Sequence, residues 1–322
     1  RQSMENTNEM LTASARALVT EVESVVIGKH NEIVLLVTAL LSGGHVLIED
    51  VPGTGKTTLA AALAKAAGLK FNRAQFTPDV MASDITGFNV YNRQTESFSF
   101  KEGLVMTNIL LADEINRASP KTQSALLEAM EEAKVTVDGV TYPVPEPFFV
   151  IATQNPTGYV GTYPLPEAQL DRFALRLSMG YPTVDEEVRI LSDRQKSNPL
   201  EKIHAVCDLA TIRTLRAMVQ NVTVTPEIAR YIVELTHATR KSRKLSLGAS
   251  PRASLLVMKL AQAYAFLRER DYVKPEDVAF VFIPGIAHRV VLSQEARLNR
   301  ESAQTILAEI LHAVEVPYAG NR

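Results

Sequence analysis

Several features are scarce in this chain of 322 residues, and each scarcity narrows the class of protein. The single cysteine, Cys207, excludes an internal disulfide framework and a cysteine-based zinc site. The formal net charge of −2 argues against a protein that coats a polyanion. No secretory leader and no apolar run of membrane-spanning length is recognisable. We therefore expect a cytoplasmic protein without membrane insertion.

Length and hydrophobic content point to two domains. Hydrophobic residues make up 46% of the chain, which is enough for a sizeable core. Up to about Pro182, strand-like apolar runs alternate with helical ones, which predicts an α/β domain (1–182) with a parallel sheet flanked by helices. Helical patterns dominate afterwards and predict an all-α lid domain (183–322). The predicted strands are 46–49, 70–75, 109–113, 148–153 and 175–178, and the predicted helices are 56–67, 120–132, 209–219, 226–241, 251–268 and 275–281.

A phosphate-binding loop follows the first predicted strand, with the sequence Val51-Pro52-Gly53-Thr54-Gly55-Lys56-Thr57-Thr58. Its glycines let backbone N–H groups curl around phosphate oxygens, while the helix N-terminus and Lys56 add positive potential. Thr57 is suited to place its hydroxyl on magnesium. Asp50 stands where the usual motif has its first glycine, which loosens the match. A glycine turn beside a solvated lysine is the plainer alternative, and the flanking strand and helix argue against it.

Polar side chains follow two further strands. The strand 109–113 ends in Asp113, which could hold Mg²⁺, and is followed by Glu114, which could polarise a water for attack on a terminal phosphoryl group. A solvated strand end would also explain two acids, but their position about sixty residues after a phosphate loop favours the catalytic interpretation. After the strand 148–153, Asn155 could orient that water or sense the phosphate, although an Asn-Pro turn is the simpler alternative.

Two arginines and two hairpins complete the set of candidates. Arg172 closes a short amphipathic helix and could act on a neighbouring subunit, while Arg252 opposes the dipole of a helix capped by Ser250 and so suggests an anionic partner. Surface arginines are usually only solvated.

Hairpins are predicted near 85–103 and 135–144, the second from Asp138-Gly139. The basic run 240–244 could contact nucleic acid, although a solvated helix end is the simpler explanation.

Several of these segments together resemble the MoxR family of AAA+ ATPases, over roughly residues 20–320. The family-like stretches are Gln75-Phe76-Thr77-Pro78-Asp79, Ser83-Asp84-Ile85-Thr86-Gly87, Asp113-Glu114-Ile115-Asn116-Arg117-Ala118, Ala152-Thr153-Gln154-Asn155-Pro156 and 165–173. The resemblance implies an AAA+ core with a helical lid, ATP and Mg²⁺ as cofactors, and a ring that is usually hexameric. It makes the hairpins the helix-2 and pre-sensor-1 inserts.

The resemblance also implies roles for individual residues. Lys56 and Thr57 resemble Walker A, Asp113 and Glu114 Walker B, Asn155 sensor 1, Arg172 the arginine finger and Arg252 sensor 2. Val26-Ile27-Gly28 resembles the segment that packs on adenine. Arg252 could act within its own subunit or across the interface.

The function implied by the resemblance is protein remodelling driven by ATP hydrolysis. Family members typically mature or activate a client protein together with a von Willebrand factor A-domain partner, sometimes by helping a metal cofactor enter an enzyme. Two alternatives stay open: a nucleic-acid motor or loader, against which the net charge argues, and a slow nucleotide-gated oligomerisation switch.

Overall fold

The computed structural model describes residues 2–50, 53–156 and 160–318. The strands are β1 (Val46–Glu49), β2 (Phe71–Gln75), β3 (Gly87–Asn92), β4 (Ser97–Glu102), β5 (Ile109–Asp113), β6 (Lys134–Val137), β7 (Val140–Pro143), β8 (Phe149–Gln154), β9 (Leu175–Leu177), β10 (Leu245–Leu247) and β11 (Val291–Leu292). The helices are α1 (Gln2–Glu23), α2 (His30–Ser42), α3 (Lys56–Ala67), α4 (Ala82–Thr86), α5 (Pro120–Glu132), α6 (Glu167–Leu170), α7 (Val184–Lys196), α8 (Leu209–Gln220), α9 (Pro226–Lys241), α10 (Pro251–Leu267), α11 (Pro275–Ile286), α12 (Gln294–Leu298) and α13 (Ala303–Ala313).

A five-stranded parallel sheet in the order β2-β5-β8-β1-β9 organises the first domain. Alternate residues of its strands enter two separate apolar clusters, one on each face. Ile109 and Leu111 belong to one cluster, and Leu110 and Ala112 to the other. This two-residue period buries both faces, as expected for a parallel sheet covered by helices. The predicted α/β fold and all five predicted core strands are confirmed.

Two N-terminal helices, α1 and α2, were not predicted from the sequence. Helix α1 buries Ala15, Leu18 and Val22, which lie three or four residues apart on one face. Helix α2 is mostly buried and is capped at its C-terminus by Gly43, whose positive φ of 78° suits glycine. Both helices pack into the larger apolar cluster together with the lid helices α8, α10 and α11. The lid therefore shares a continuous core with one face of the sheet.

The two predicted hairpins are present and contact each other. β3 pairs with β4 and β6 pairs with β7, both antiparallel. Phe100 of the first hairpin stacks on Tyr142 of the second with ring centroids 3.9 Å apart, and Asn89 Nδ2 donates to Asp138 Oδ2 at 2.8 Å. These contacts join β3, β4, β6 and β7 into one unit, which we call the paired hairpins.

The lid is helical, as predicted, although its helices α7, α12 and α13 were not among the predicted ones. β10 and β11 form a two-stranded antiparallel pair that was not predicted, and the helix predicted over 275–281 continues to Ile286, which is fully buried. β9 ends at Leu177 and α7 begins at Val184, so the domain boundary near Pro182 stays a prediction. In the residues that the structure describes, no helix is both long and apolar enough to cross a bilayer.

Candidate nucleotide-binding and hydrolysis site

The phosphate loop lies between the carboxyl end of β1 and the first turn of α3. Gly53 and Gly55 both have a φ of 85°, a left-handed conformation that side chains other than glycine rarely adopt. Lys56, the first residue of α3, is buried and its Nζ lies 3.4 Å from the Asp50 carbonyl oxygen. Thr57 and Thr58 follow in the same turn. Val51 and Pro52 fall outside the described residues, so the assignment of Pro52 to the nucleotide site stays a prediction.

Asp50, the departure from the usual loop motif, has a structural role. Its carboxylate is buried and its Oδ2 accepts hydrogen bonds from the backbone N–H groups of Met179 (2.7 Å) and Gly180 (2.8 Å). These residues follow β9, so Asp50 ties the start of the phosphate loop to the segment that leads to the lid. A glycine at position 50 could not make this connection, which explains why the motif departs from its usual form here.

A cavity of about 360 Å³ adjoins the loop, a volume within the usual size range of small-molecule sites. Its lining combines apolar side chains, among them Val26, Ile27 and Ile190, with the loop residues Gly53, Thr54, Gly55 and Thr58. An apolar wall beside backbone amide groups suits a purine base joined to phosphates.

Helix α7 contributes contacts near this site that were not predicted from the sequence. Arg194 lines the cavity and its Nη2 donates to Thr58 Oγ1 at 3.1 Å. Glu186 lies so close to Gly28 that a β-carbon on Gly28 would overlap its carboxylate, and Gly28 also has a φ of 75°. The predicted adenine-packing segment is thus held against the start of the lid.

The two acids lie at the carboxyl end of β5, and Thr153 of β8 sets their positions. The Thr153 hydroxyl donates to Asp113 Oδ1 at 2.6 Å and accepts from the Glu114 backbone N–H at 2.9 Å. The other Asp113 oxygen lies 3.2 Å from Arg73 Nη2. Glu114 has a φ of 56°, and its Oε2 lies 3.4 Å from Arg117 Nη1. Thr153 was missed because an isolated threonine at a strand end carries no recognisable signal.

Asn155 follows β8, which pairs with both β5 and β1, so it lies between the acids and the phosphate loop. It is buried, and its carbonyl oxygen lies 3.4 Å from Asn116 Nδ2. Next to it, Gln154 Nε2 donates to Glu49 Oε2 at 2.7 Å. The structure thus brings together the loop, Asp113, Glu114 and Asn155 at one edge of the sheet.

The two candidate arginines lie elsewhere. Leu175 of β9 is in register with Val46, the first residue of β1, and the Ala174 N–H donates to the His45 carbonyl at 2.8 Å. Arg172 comes three residues before Leu175 and therefore lies at the end of the sheet where β1 and β9 begin. The phosphate loop lies at the opposite end, where β1 finishes. It forms an ion pair with Glu131 near the end of α5, and Arg252 of the lid pairs with the same carboxylate. The structure brings the two arginines together but not to the loop of their own chain.

Comparisons with known proteins identify the family of this chain. Residues 45–175 match the ATPase family associated with various cellular activities (AAA), and residues 237–310 match the AAA lid domain. The chain is 41% identical to Chaperone MoxR1 of Mycobacterium tuberculosis over 307 residues, which is 92% of this chain and 81% of that protein. The chain belongs to the MoxR family of AAA+ ATPases. The family resemblance drawn from the sequence motifs is thereby confirmed.

Two other relatives cover nearly the whole of this MoxR-family chain. The uncharacterized protein YeaC of Bacillus subtilis is 51% identical over 299 residues, or 93% of each chain. The crystal structure of a candidate ATPase from Cytophaga hutchinsonii superposes with a TM-score of 0.91 at 37% identity and covers 98% of each chain. The predicted ATPase activity and the ATPase core with its helical lid are supported by these relatives.

Proposed function

We propose that this MoxR-family ATPase hydrolyses Mg-ATP at sites completed by a neighbouring copy of itself, and that hydrolysis drives the remodelling or maturation of a client protein. The main observation in support is that Arg172 and Arg252 lie together at the end of the sheet opposite their own phosphate loop. A strand of four residues such as β1 spans roughly 13 Å, whereas arginine must come within about 3 Å of a phosphate oxygen to bind it. Arginines at this edge are suited to a neighbour's nucleotide.

Each candidate residue at the end of the sheet that carries the phosphate loop has a role in hydrolysis. We call this group, Lys56, Thr57, Asp113, Glu114 and Asn155, the loop edge. Bound Mg-ATP supplies the terminal phosphoryl group that is transferred to water. Thr57 and Asp113 would hold the metal, as oxygen ligands suit magnesium. Lys56 neutralises phosphate charge, Glu114 takes the proton of the attacking water, and Asn155 orients that water.

Arg252 is assigned to the same interface as Arg172. It lies in the first turn of lid helix α10, yet it shares the Glu131 carboxylate with Arg172 instead of lining the cavity beside Gly53 and Gly55. This supports action across the interface, one of the two possibilities that the sequence left open. A head-to-tail contact between copies generates a ring when its rotation closes, and we propose a closed hexamer.

The client and partner are proposed to be proteins. One MoxR-family relative is named a chaperone. The paired hairpins expose Tyr91 and Phe98, which are 50% and 71% exposed, and an exposed aromatic surface suits contact with a client. By resemblance to the family, a von Willebrand factor A-domain protein is the proposed partner, and delivery of a metal cofactor is one proposed form of maturation. We propose that the complex acts in the cytoplasm.

Nucleic acid is a weaker candidate because part of the basic run serves the lid itself. Lys244 Nζ pairs with Glu301 at 2.7 Å and Glu309 at 3.1 Å, and Arg240 Nε donates to the Ala249 carbonyl at 2.6 Å. Binding of duplex or single-stranded DNA with a steep inverse dependence on salt, together with faster hydrolysis, would favour a motor or loader instead.

Mixed-subunit ATPase assays test the proposal. Lys56→Ala, Glu114→Gln and Arg172→Ala should each abolish most magnesium-dependent turnover, and an arginine finger accounts for roughly 10³ to 10⁵ in rate. Mixing Arg172→Ala with Glu114→Gln should restore activity, because the first supplies an intact loop edge and the second intact arginines. Arg243→Ala, at an exposed arginine of the lid, is the matched control and should leave turnover unchanged.

Two results would contradict this function. Full activity of Lys56→Ala would show that the phosphate loop is not used. A mixture with no more activity than its separate components would show that the arginines do not act across an interface. If instead ATP drives assembly with negligible turnover even when a protein partner is present, a nucleotide-gated oligomerisation switch is the better description.

A further inference from the structure

Glu131, the penultimate residue of α5, holds both candidate arginines at once. Its Oε2 lies 3.2 Å from Arg172 Nε and its Oε1 lies 2.5 Å from Arg252 Nη2. Each carboxylate oxygen thus binds one guanidinium, and the side chain bridges the core segment after α6 and the first turn of α10 in the lid. The Arg252 hydrogen bond, and then the charges of Arg252 and Arg172, hold the pKa of Glu131 below its ordinary value.

The backbone next to Arg172 is fixed independently of Glu131. Arg289, a buried arginine of the lid, donates through Nη1 to Asp171 Oδ1 at 2.5 Å and to the Asp171 carbonyl oxygen at 2.6 Å. Ser250 Oγ lies 3.4 Å from the other Asp171 carboxylate oxygen. Loss of the Glu131 carboxylate should therefore leave this segment in place and free only the arginine side chains.

The bonding pattern leaves both arginines able to bind a further anion. Arg172 meets Glu131 through Nε, so its two terminal nitrogens have no hydrogen-bond partner within the described ranges, and Arg252 uses one of its terminal nitrogens. The side chains of Glu131, Arg172 and Arg252 are 34%, 25% and 42% exposed, so the group faces solvent. Two neighbouring cations repel each other, and a carboxylate between them offsets that repulsion.

We propose that Glu131 is a positioning residue, whose carboxylate holds Arg172 and Arg252 side by side so that both reach the terminal phosphate bound by the next copy in the ring. The inference rests on the proposed function and adds the residue that sets the geometry of its arginine pair. An arginine side chain has many rotamers, and fixing two of them before the phosphate arrives lowers the entropy lost in the transition state.

Substitution of Glu131 by glutamine tests this role. Glu131→Gln keeps the shape of the side chain but removes the charge that pairs with both arginines. We expect kcat to fall about tenfold to a hundredfold, as a misplacement of about 1 Å can cost roughly 10². The ATP Kd, measured by titration of a non-hydrolysable analogue, should stay within about twofold, since Glu131 is remote from its own phosphate loop.

Glu132→Gln is the matched control on the same helical turn. Glu132 is exposed and has no ion pair or hydrogen bond from its side chain in the part of the chain that the structure describes, so its kcat should equal that of the wild type. An unchanged kcat in Glu131→Gln would overturn the proposal. Loss of ATP binding or of thermal stability together with activity would also overturn it, because that pattern indicates a structural role.

A mixing experiment separates this proposal from the function on which it rests. Glu131→Gln mixed with Glu114→Gln should be more active than either variant alone. In rings assembled at random from equal amounts of the two variants, about one interface in four joins an intact loop edge to an intact arginine pair. If Arg172→Ala mixed with Glu114→Gln recovers activity while the Glu131→Gln mixture does not, the positioning role is wrong and the function stands. If neither mixture recovers, the function itself is wrong.

Discussion

Replacing Asp50 by glycine would make the phosphate loop of this ATPase match the usual motif, and we predict that the change is harmful. The buried Asp50 carboxylate accepts two backbone hydrogen bonds, at 2.7 Å from Met179 N and 2.8 Å from Gly180 N. A hydrogen bond to a charged group contributes about 1.5 to 3 kcal/mol, and its removal leaves a donor without its partner. Added backbone freedom at glycine costs about 0.5 to 1 kcal/mol more.

These terms predict that Asp50→Gly lowers the free energy of unfolding by about 3.5 to 7 kcal/mol. For a chain of 322 residues, that corresponds to a fall in Tm of roughly 5 to 10 °C. The ATP affinity should fall as well, because Gly180 lines the nucleotide cavity and its backbone is one of the two anchored groups. Thermal unfolding followed by circular dichroism without nucleotide measures the first effect, since bound ATP would add its own stabilisation.

Asp50→Asn is the matched control, since both bonds go to the same oxygen, Oδ2, and an amide oxygen can replace it. Charge-assisted hydrogen bonds are roughly twice as strong as neutral ones, so the asparagine variant should lose about half as much stability. If Asp50→Gly melts within 1 °C of the wild type and hydrolyses ATP as fast, our explanation of the unusual loop is refuted.

Three further predictions follow from single contacts. Arg194→Ala should weaken ATP binding about 5- to 30-fold, because Arg194 lines the cavity and donates to Thr58; an unchanged Kd in calorimetric titration would contradict this. His45 is buried, and mainly desolvation lowers its pKa to about 4. As pH falls below about 6.5, His45 therefore takes up a proton in the unfolded state before it does so in the folded state, and the folded state loses stability. Between pH 7.5 and pH 5 the wild type should lose about 2 kcal/mol more than His45→Gln in urea unfolding, and equal losses would show that His45 is not responsible. Phe100→Ala should loosen the paired hairpins by removing the Tyr142 stack, worth about 0.5 to 1.5 kcal/mol beyond the buried area; hydrogen exchange across 134–143 should speed up, and unchanged protection would contradict the coupling.

Features determined by neighbouring residues could be predicted from the sequence. The strand before Gly53 and the helix after Lys56 follow from apolar runs and glycine chemistry, and the β6–β7 hairpin follows from Asp138-Gly139. The placement of Glu114 at the same end of the sheet as the phosphate loop was also predictable, because the strands of a parallel sheet all finish at that end. The helices α1 and α2 were missed although their apolar spacing was present in the sequence.

Features determined by contacts between distant residues needed the tertiary structure. Glu131 and Arg252 are far apart in the chain, and only the packing of the lid beside α5 joins them. The same packing pairs Arg252 with Glu131, and Arg252 is not among the residues that line the cavity beside the phosphate loop. The role of Asp50 likewise depends on Met179 and Gly180, which reach it through the pairing of β9 with β1.

The sequence by itself determined that this chain has a phosphate loop, an acid pair and a helical lid, because local spacing and turn chemistry encode such elements. Only the tertiary structure decided which charged side chains share a partner and at which edge of the sheet they lie. Ion pairs and hydrogen bonds form only within about 3 to 4 Å, and folding brings groups from separate segments to that distance in ways that spacing along the chain does not specify.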